Sequence, residues 1–373
     1  MNIYIDGIIY SLQKDGGITR YTNELVSGYA HQGHTVVLFM HPHSYSYPPP
    51  HKNIQVIYIK PLLEINNRLS RYIDYFFCKP QITGYFKKNN IQSGIFHSTY
   101  FTFYKDSKIP QIMTIYDLTR EKFPKSFNYI INKVFRTITK KSLQESDAII
   151  CISKQTANDL CSYYKIEPNK TDAIYLGVNP TFNIKTQEKK DSFKLSKKIF
   201  KPYILFVGKR STYKNFKKFT EAYADWEHKN KFSLVTIGGG KFTKKESNSM
   251  EKLGLNNNII SFDLVTEKEL VMFYNCTHSF VFPSLSEGFG LPLLEAMSCG
   301  TTILVSDIPV FQEIAGDIPY YFDPYSKESI VKALDNSMVK NQSKIDDGLE
   351  LVKKFTWENT VKKTIKVYEK LLK

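Results

Sequence analysis

The sequence predicts an α/β protein of two domains, each a parallel sheet with helices on both faces. Three observations carry that reading. The chain has 373 residues, more than one typical core accommodates. Short apolar runs alternate along its whole length with stretches of 3.6-residue apolar periodicity, the pattern of strands joined by crossover helices. A polar, Lys-rich stretch near the middle, NIKTQEKKDSFKLSKKIFK at 183–201, separates two such sets.

In order, residues 3–6 predict a first strand and Gly16-Gly17 a turn. An amphipathic helix follows over about 18–30, with Gly33 marking its stop. Further strands are expected at 35–39, 54–59, 94–97, 111–115, 148–152 and 171–175. After the Lys-rich linker, 202–208 opens a second set that continues with strands at 232–238, 259–262, 279–282 and 302–306. The stretch from Thr356 to Leu372 reads as one amphipathic helix, and the Pro-rich tract at 45–50 as an exposed loop.

Composition narrows the function. Hydrophobic residues make up 42% and aromatics 14%, enough for a folded core and against global disorder. Five cysteines (Cys78, Cys151, Cys161, Cys276, Cys299), odd in number and without CxxC spacing, argue against a disulfide scaffold or a structural zinc site and fit a reduced, cytoplasmic compartment. No apolar stretch approaches the roughly 20 residues of a membrane span, and the start lacks a basic leader. The net charge of +15 asks for an anionic partner or reflects solubilising lysines.

Ligands of open parallel sheets bind beyond the carboxyl ends of the strands, so the loops there carry the function. The most informative runs from Phe282 to Gly300, FPSLSEGFGLPLLEAMSCG. A strand ends near Phe282, Glu287-Gly288-Phe289-Gly290 is a flexible loop, and a short helix begins near Leu291 with Pro292 in its first turn. Such a helix start is an anion site that glycines let a phosphate approach. Glu287 and Glu295 would be about 12 Å apart on a continuous helix, too far for a retaining glycosidase pair at about 5 Å. Carboxylates also hold sugar hydroxyls. Two of them around an anion site suit a ligand with hydroxyls at both ends and phosphate between, the shape of a nucleotide sugar. A second loop, Val207 to Asn215 (VGKRSTYKN), brings Lys209, Arg210 and Lys214 as diphosphate ligands. A third, Asp15-Gly16-Gly17-Ile18-Thr19-Arg20, permits backbone approach to phosphate or acceptor. His97 and Asp117 follow predicted strand ends.

These motifs resemble those of the GT-B-fold retaining glycosyltransferases of family 4. The E-x7-E signature runs from Glu287 to Glu295 in an E-G-F-G-L-P-x-x-E context. The glycine loop at Gly16-Gly17, the loop at 207–215, S-D-x-P-x-x-x-E at 306–313 and F-x-W at 355–357 also match. The resemblance implies two facing Rossmann-like domains. The expected boundaries are 1–185 for the acceptor domain, 186–200 for a linker, 201–355 for the nucleotide-sugar domain and 356–373 for a helix crossing back to the first. It implies that Glu295 holds the donor ribose and Glu287 lies near the transferred sugar. Backbone groups of Gly288, Phe289, Gly290 and Leu291 would contact sugar and phosphate, and Arg210 and Lys214 the diphosphate. Many relatives carry Arg directly after the glycine, where this chain has Lys209, so Lys209 and Arg210 both stand as candidates. Many also read His-Asp at Tyr116-Asp117, and the Asp persists. His97 matches a position close to the transferred sugar or acceptor.

The implied activity is metal-independent retaining transfer of a hexose, with mannose indicated by the V-G-x-R-x-x-Y-K-N variant. The donor is a nucleotide diphosphate sugar and the acceptor a glycan or polyprenyl-diphosphate-linked glycan, in bacterial surface polysaccharide or O-antigen synthesis. No Asp-x-Asp occurs, so no metal or other cofactor is expected, and Lys and Arg would replace it on the diphosphate. The alternative is a catalytically silent GT-B subunit that binds nucleotide sugar. A dinucleotide enzyme is disfavoured because Gly238-Gly239-Gly240 lacks Gly-x-Gly-x-x-Gly spacing, and no P-loop occurs. Nucleic acid is not expected, for want of a base-reading motif.

Residues 1–185 carry 22 Lys/Arg against 13 Asp/Glu, and the remainder 29 against 23, so the first half is the more basic. The stretch from Arg120 to Lys141 interleaves seven cations with Phe127, Ile130, Ile131, Val134, Phe135 and Ile138. It reads either as a basic amphipathic helix on anionic lipid or as a helix whose apolar face packs inside. A second basic-aromatic stretch spans 68–88. A cytoplasmic protein, peripheral on the inner face of the plasma membrane, is the expectation.

Overall fold

The computed structural model describes residues 1–14, 16–62, 70, 71, 73, 74, 77–102, 104 and 108–373. Asp15 and residues 68, 69, 72, 75 and 76 of the second basic stretch therefore lie outside the described residues. The chain divides into two compact units, Met1–Gly177 with Thr356–Lys373, and Val178–Phe355.

The first unit holds a seven-stranded parallel sheet of β1 (Asn2–Ile5), β2 (Thr35–Met40), β3 (Ile54–Tyr58), β4 (Ile95–Ser98), β5 (Gln111–Ile115), β6 (Ala148–Cys151) and β7 (Thr171–Ala173). Their order is β3-β2-β1-β4-β5-β6-β7. β1, β4, β5 and β6 are short and almost wholly buried, as expected for strands covered on both faces. The C-terminal helix (Trp357–Leu372) belongs to this unit. Thr356 caps it by accepting from the Asn359 N–H, and Trp357, Val361, Ile365 and Tyr368 line its buried face.

The second unit holds a six-stranded parallel sheet of β8 (Tyr203–Val207), β9 (Ser233–Ile237), β10 (Ile259–Phe262), β11 (Ser279–Phe282), β12 (Thr302–Ser306) and β13 (Tyr320–Phe322), ordered β10-β9-β8-β11-β12-β13. Its core gathers Phe206, Phe216, Phe219, Tyr223, Trp226 and Phe232. β13, a three-residue edge strand, is absent from the sequence expectation.

Two boundaries differ from expectation. The first unit ends at Gly177, not at 185, because the next residues are bound to the second unit. Val178 N–H donates to Phe355 O (3.0 Å), Phe182 meets Tyr274 edge-on, and Lys185 N–H donates to Asn275 Oδ1 (2.7 Å). The expected linker at 186–200 contains a helix, Gln187–Ser196. Its Phe193 packs edge-on against Phe273 at 4.9 Å, and Lys197 pairs with Glu269 at 2.5 Å. Its lysines cover the wet side, so composition conceals the single aromatic that docks it.

Candidate donor-binding site

In the second sheet β9 and β10 lie on one side of β8, and β11, β12 and β13 on the other. The order thus reverses between β8 and β11, the place where open parallel sheets bind ligands. The loops leaving these two strands are the two that sequence reasoning singled out. They are tied together: the Leu285 N–H donates to Tyr213 O at 2.7 Å.

Lys214 closes a short turn, Thr212–Lys214, after β8. Its Nζ lies 2.5 Å from Glu287 Oε1 and 5.1 Å from the centre of the Phe282 ring. The two charged side chains are only 17% and 14% exposed. A pair so withdrawn from water interacts more strongly than a surface pair, and its cation is pre-placed to meet an anion. Glu287 precedes the helix Leu291–Ser298 and lies outside it, so the helical separation from Glu295 does not apply.

That helix begins as expected. Gly290 is its N-cap at φ +103°, a left-handed conformation that costs glycine little, and a Cβ there would come within 3.1 Å of the Phe311 ring. Pro292 in the first turn has no N–H to leave unpaired. Gly288, Phe289 and Gly290 are buried, and Leu291 is half-buried. Glu295 lies on the buried face, 6% exposed, where its Oε2 accepts from the Tyr274 hydroxyl at 3.2 Å. The structure thus brings together Lys214, Glu287 and the start of the Glu295 helix.

Lys209 and Arg210 part company. Arg210 is engaged by groups of its own unit. Its Nε donates to Glu246 Oε1 (2.9 Å), Nη1 to Gly238 O (2.9 Å), and Nη2 to Gly239 O (3.3 Å), Gly240 O (2.9 Å) and Lys241 O (3.1 Å). Its guanidinium also stacks 4.3 Å over the Phe242 ring. Gly238, Gly239 and Gly240 all have φ between +77° and +85°. Three left-handed residues in a row turn their carbonyls towards one cation. The glycine run, dismissed above as a failed dinucleotide motif, is an arginine receptor. Glu246 also closes a capping box with Thr243 at the start of the helix Lys244–Lys252. Burial works against its charge, yet the Thr243 N–H and Arg210 hold its carboxyl below the ordinary range. Lys209, by contrast, is exposed. It lines a cleft of about 530 Å³ that Arg210, Ser211, Gly239, Gly240, Thr243 and Glu246 also line. The buried hydroxyls of Ser211 and of Ser284, just after β11, have no hydrogen-bond partner.

The first unit corrects one residue and adds another. His97, expected near the sugar or acceptor, is fully buried in β4. Its Nδ1 is 2.5 Å from the Tyr368 hydroxyl of the C-terminal helix and its Nε2 is 2.8 Å from Thr114 Oγ1. Tyr368 also meets Tyr29 (2.7 Å), and Thr114 meets Tyr21 (2.9 Å). Burial pushes the His97 imidazole down to about 3, so it is a neutral member of a structural network and not a contact for substrate. Asp117 is exposed just beyond β5, and its Oδ1 accepts from the Thr119 N–H at 2.8 Å. Gly16 and Gly17 are exposed at the start of the helix Gly17–His31.

The added residue is Asp6, which follows β1 where this sheet's order reverses between β1 and β4. Only 2% exposed, it accepts from the Thr99 hydroxyl (2.6 Å), the Thr99 N–H (3.0 Å), the Tyr100 N–H (3.3 Å), Ser98 Oγ (3.2 Å) and Thr102 Oγ1. It ties the loop after β4 to the end of β1. An acid directly after an apolar strand was the available signal.

Two family models match the chain. Residues 187–347 match "Glycosyl transferases group 1" and residues 15–182 match "Glycosyltransferase Family 4". Over 228 residues the chain is 28% identical to the O-antigen chain mannosyltransferase RfbU of Salmonella typhimurium, covering 61% of this chain and 60% of that protein's length. Among solved structures, sucrose-phosphate synthase from Thermosynechococcus elongatus superposes with a TM-score of 0.79 at 18% identity over 99% of this chain and 98% of that one. Anabaena HepE in complex with UDP and glucose gives 0.71 at 13% identity over 98% of each.

Proposed function

Because the chain belongs to the glycosyltransferases of group 1 and family 4, with their GT-B fold, we propose that it transfers a hexose from a nucleotide diphosphate sugar to a glycan or lipid-linked glycan. The observation that carries this reading is the Lys214–Glu287 pair at the reversal point of the second sheet, beside an exposed Lys209 and a glycine-capped helix start. Likeness to an O-antigen mannosyltransferase supports mannose as the sugar and surface polysaccharide as the product. HepE's complex with UDP and glucose supports a nucleotide sugar as donor.

In the reaction the bond from the sugar's anomeric carbon to the diphosphate oxygen breaks. A bond to the acceptor oxygen forms, and the acceptor's proton passes to the released phosphate. Negative charge grows on the leaving diphosphate, and in this reading Lys214, Lys209 and the helix N-terminus stabilise it. Glu287, paired with Lys214 before donor binds, is freed to accept from sugar hydroxyls when the lysine turns to phosphate. Glu295 holds the ribose by exchanging its tyrosine partner for ribose hydroxyls. We assign the anomeric outcome as retention and the diphosphate's counter-charge to protein cations, with no metal.

The test is a thermal-shift screen of GDP-, UDP-, ADP- and TDP-sugars on the whole chain, followed by transfer and donor-hydrolysis assays with and without EDTA. One donor should raise the melting temperature, and turnover should persist in EDTA with retained configuration by NMR. A donor shift with neither transfer nor hydrolysis overturns the enzyme reading in favour of a binding subunit. Turnover lost in EDTA and restored by a divalent ion overturns metal independence.

A further inference from the structure

Glu295 carries its carboxylate in a dry place, on the buried face of the helix Leu291–Ser298. Four residues on, the Cys299 thiol is pushed up to about 12, first by burial and then by the Glu295 charge. A carboxylate so withdrawn from water depends on the donors brought to it. Tyr274, on the helix Glu267–Cys276, brings one: its hydroxyl donates to Glu295 Oε2 at 3.2 Å. An O–H donor ordinarily stands about 2.5–3.0 Å from its acceptor, and about 2.5–2.7 Å from a charged one. The Tyr274 bond is therefore long for its kind.

The ring is not free to close that distance. Tyr274 is fully buried. Phe280 and Phe182 meet its ring edge-on, with centroids 5.4 Å and 6.0 Å away. Its carbonyl accepts from the Thr301 hydroxyl at 2.7 Å. Close packing and a bonded backbone fix the ring, and its hydroxyl stops short of the carboxylate. Glu295 thus has a donor close enough to hold it and too distant to compete with a better one.

We propose that Tyr274 is a built-in competitor of the donor's ribose, a positioning residue that holds Glu295 and sets nucleotide affinity through the bond that must be given up. The inference rests on the reading of Glu295 as the ribose ligand and deepens it. A ribose 2′,3′-diol offers two O–H donors to one carboxylate, where tyrosine offers one at long range. Every nucleotide that carries the diol displaces the tyrosine and loses affinity by the strength of that bond. A nucleotide without the diol leaves the pair intact and loses nothing. A tyrosine that only packs against its neighbours would affect both kinds of nucleotide alike.

The experiment is titration calorimetry of the whole chain with GDP, UDP and ADP and with the 2′,3′-dideoxy form of each. The proteins are wild type, Tyr274→Phe, Glu295→Ala and the double variant. Phenylalanine keeps the ring and its edge contacts. In wild type the ribonucleotide that binds should bind more tightly than its dideoxy form. Tyr274→Phe should tighten the ribonucleotide about fivefold, less than a full bond to a charged group because the one removed is long, and leave the dideoxy affinity unchanged. The tightening should vanish in the Glu295→Ala background. Infrared difference spectra of the wild type give a check that needs no variant: a buried tyrosine C–O stretch should shift with the ribonucleotide and stay in place with the dideoxy form. Unchanged or weaker ribonucleotide binding in Tyr274→Phe overturns the inference, as does equal tightening of both forms, tightening that survives without Glu295, or a tyrosine band that does not move. Those results leave the donor reading standing. No binding of any of the three nucleotides to wild type overturns the donor reading itself, and equal wild-type affinity for both forms overturns Glu295 as the ribose ligand; the inference falls with either.

Discussion

Arg210 has five N–H donors, and the fold directs them at Glu246 and the carbonyls of residues 238–241. Its neighbour Lys209 lines the adjoining cleft. The two substitutions should therefore differ in kind. Lys209→Ala should weaken nucleotide-sugar affinity about tenfold, one charged contact's worth, with the melting temperature unchanged. Arg210→Ala should lower stability by about 2–3 kcal/mol, because it leaves Glu246 and several carbonyls short of a partner. Titration calorimetry and chemical denaturation separate the two, and a wild-type affinity in Lys209→Ala would exclude it from the donor site. On the proposed role of Lys214 at the leaving group, Lys214→Ala should reduce kcat by roughly a hundredfold. Steady-state rates at saturating donor check this, and a wild-type kcat would sink the assignment.

The C-terminal helix is latched to the first sheet by the chain Tyr29–Tyr368–His97–Thr114–Tyr21, which joins two helices and two strands. Its central imidazole gives the latch a pH signature. Burial holds His97 at about 3 against its ordinary 6.5, so the unfolded chain takes up a proton that the folded chain refuses. Stability falls as pH drops below 6.5 and keeps falling towards 3, with a contribution approaching about 1.4 kcal/mol per pH unit. Denaturation at several pH values should show that slope in the wild type and its loss in His97→Gln. An identical pH dependence in both would contradict the buried neutral state. Tyr368→Phe, which removes the hydroxyl shared by Tyr29 and His97, should cost about 1–3 kcal/mol at neutral pH.

Across the whole molecule the charge of +15 has several destinations. Lys209 and Lys214 belong to the candidate donor site, and Arg210 is consumed inside the second unit. Lys133, Arg136 and Lys140 line a cavity of the first unit. The units are also unequal in continuity, since the first is completed by residues 356–373. Deleting Trp357–Leu372 would uncover Tyr29, His97 and the surface under Trp357, Val361 and Ile365. The truncated chain should lose the cooperative unfolding of the first unit, which limited proteolysis and calorimetry would detect. Among the described residues no helix is long and apolar enough to cross a membrane.

Features legible in the chain are those written by near neighbours. Strand and helix alternation, the glycine and proline that start the Glu295 helix, and the E-x7-E spacing itself depend on side chains a few residues apart. Both sheets and the donor-site loops could therefore be placed from them. The roles of Arg210 and His97 could not. A cation after a strand looks the same whether it meets a ligand or a glycine run 28 residues on. His97 finds its partner 271 residues away. Hydrogen-bond partners and burial are set by which segments the fold brings together, and no local spacing encodes that. The sequence could thus name the family's loops, while packing alone decided which partners Arg210 and His97 take and that Lys209 stays exposed.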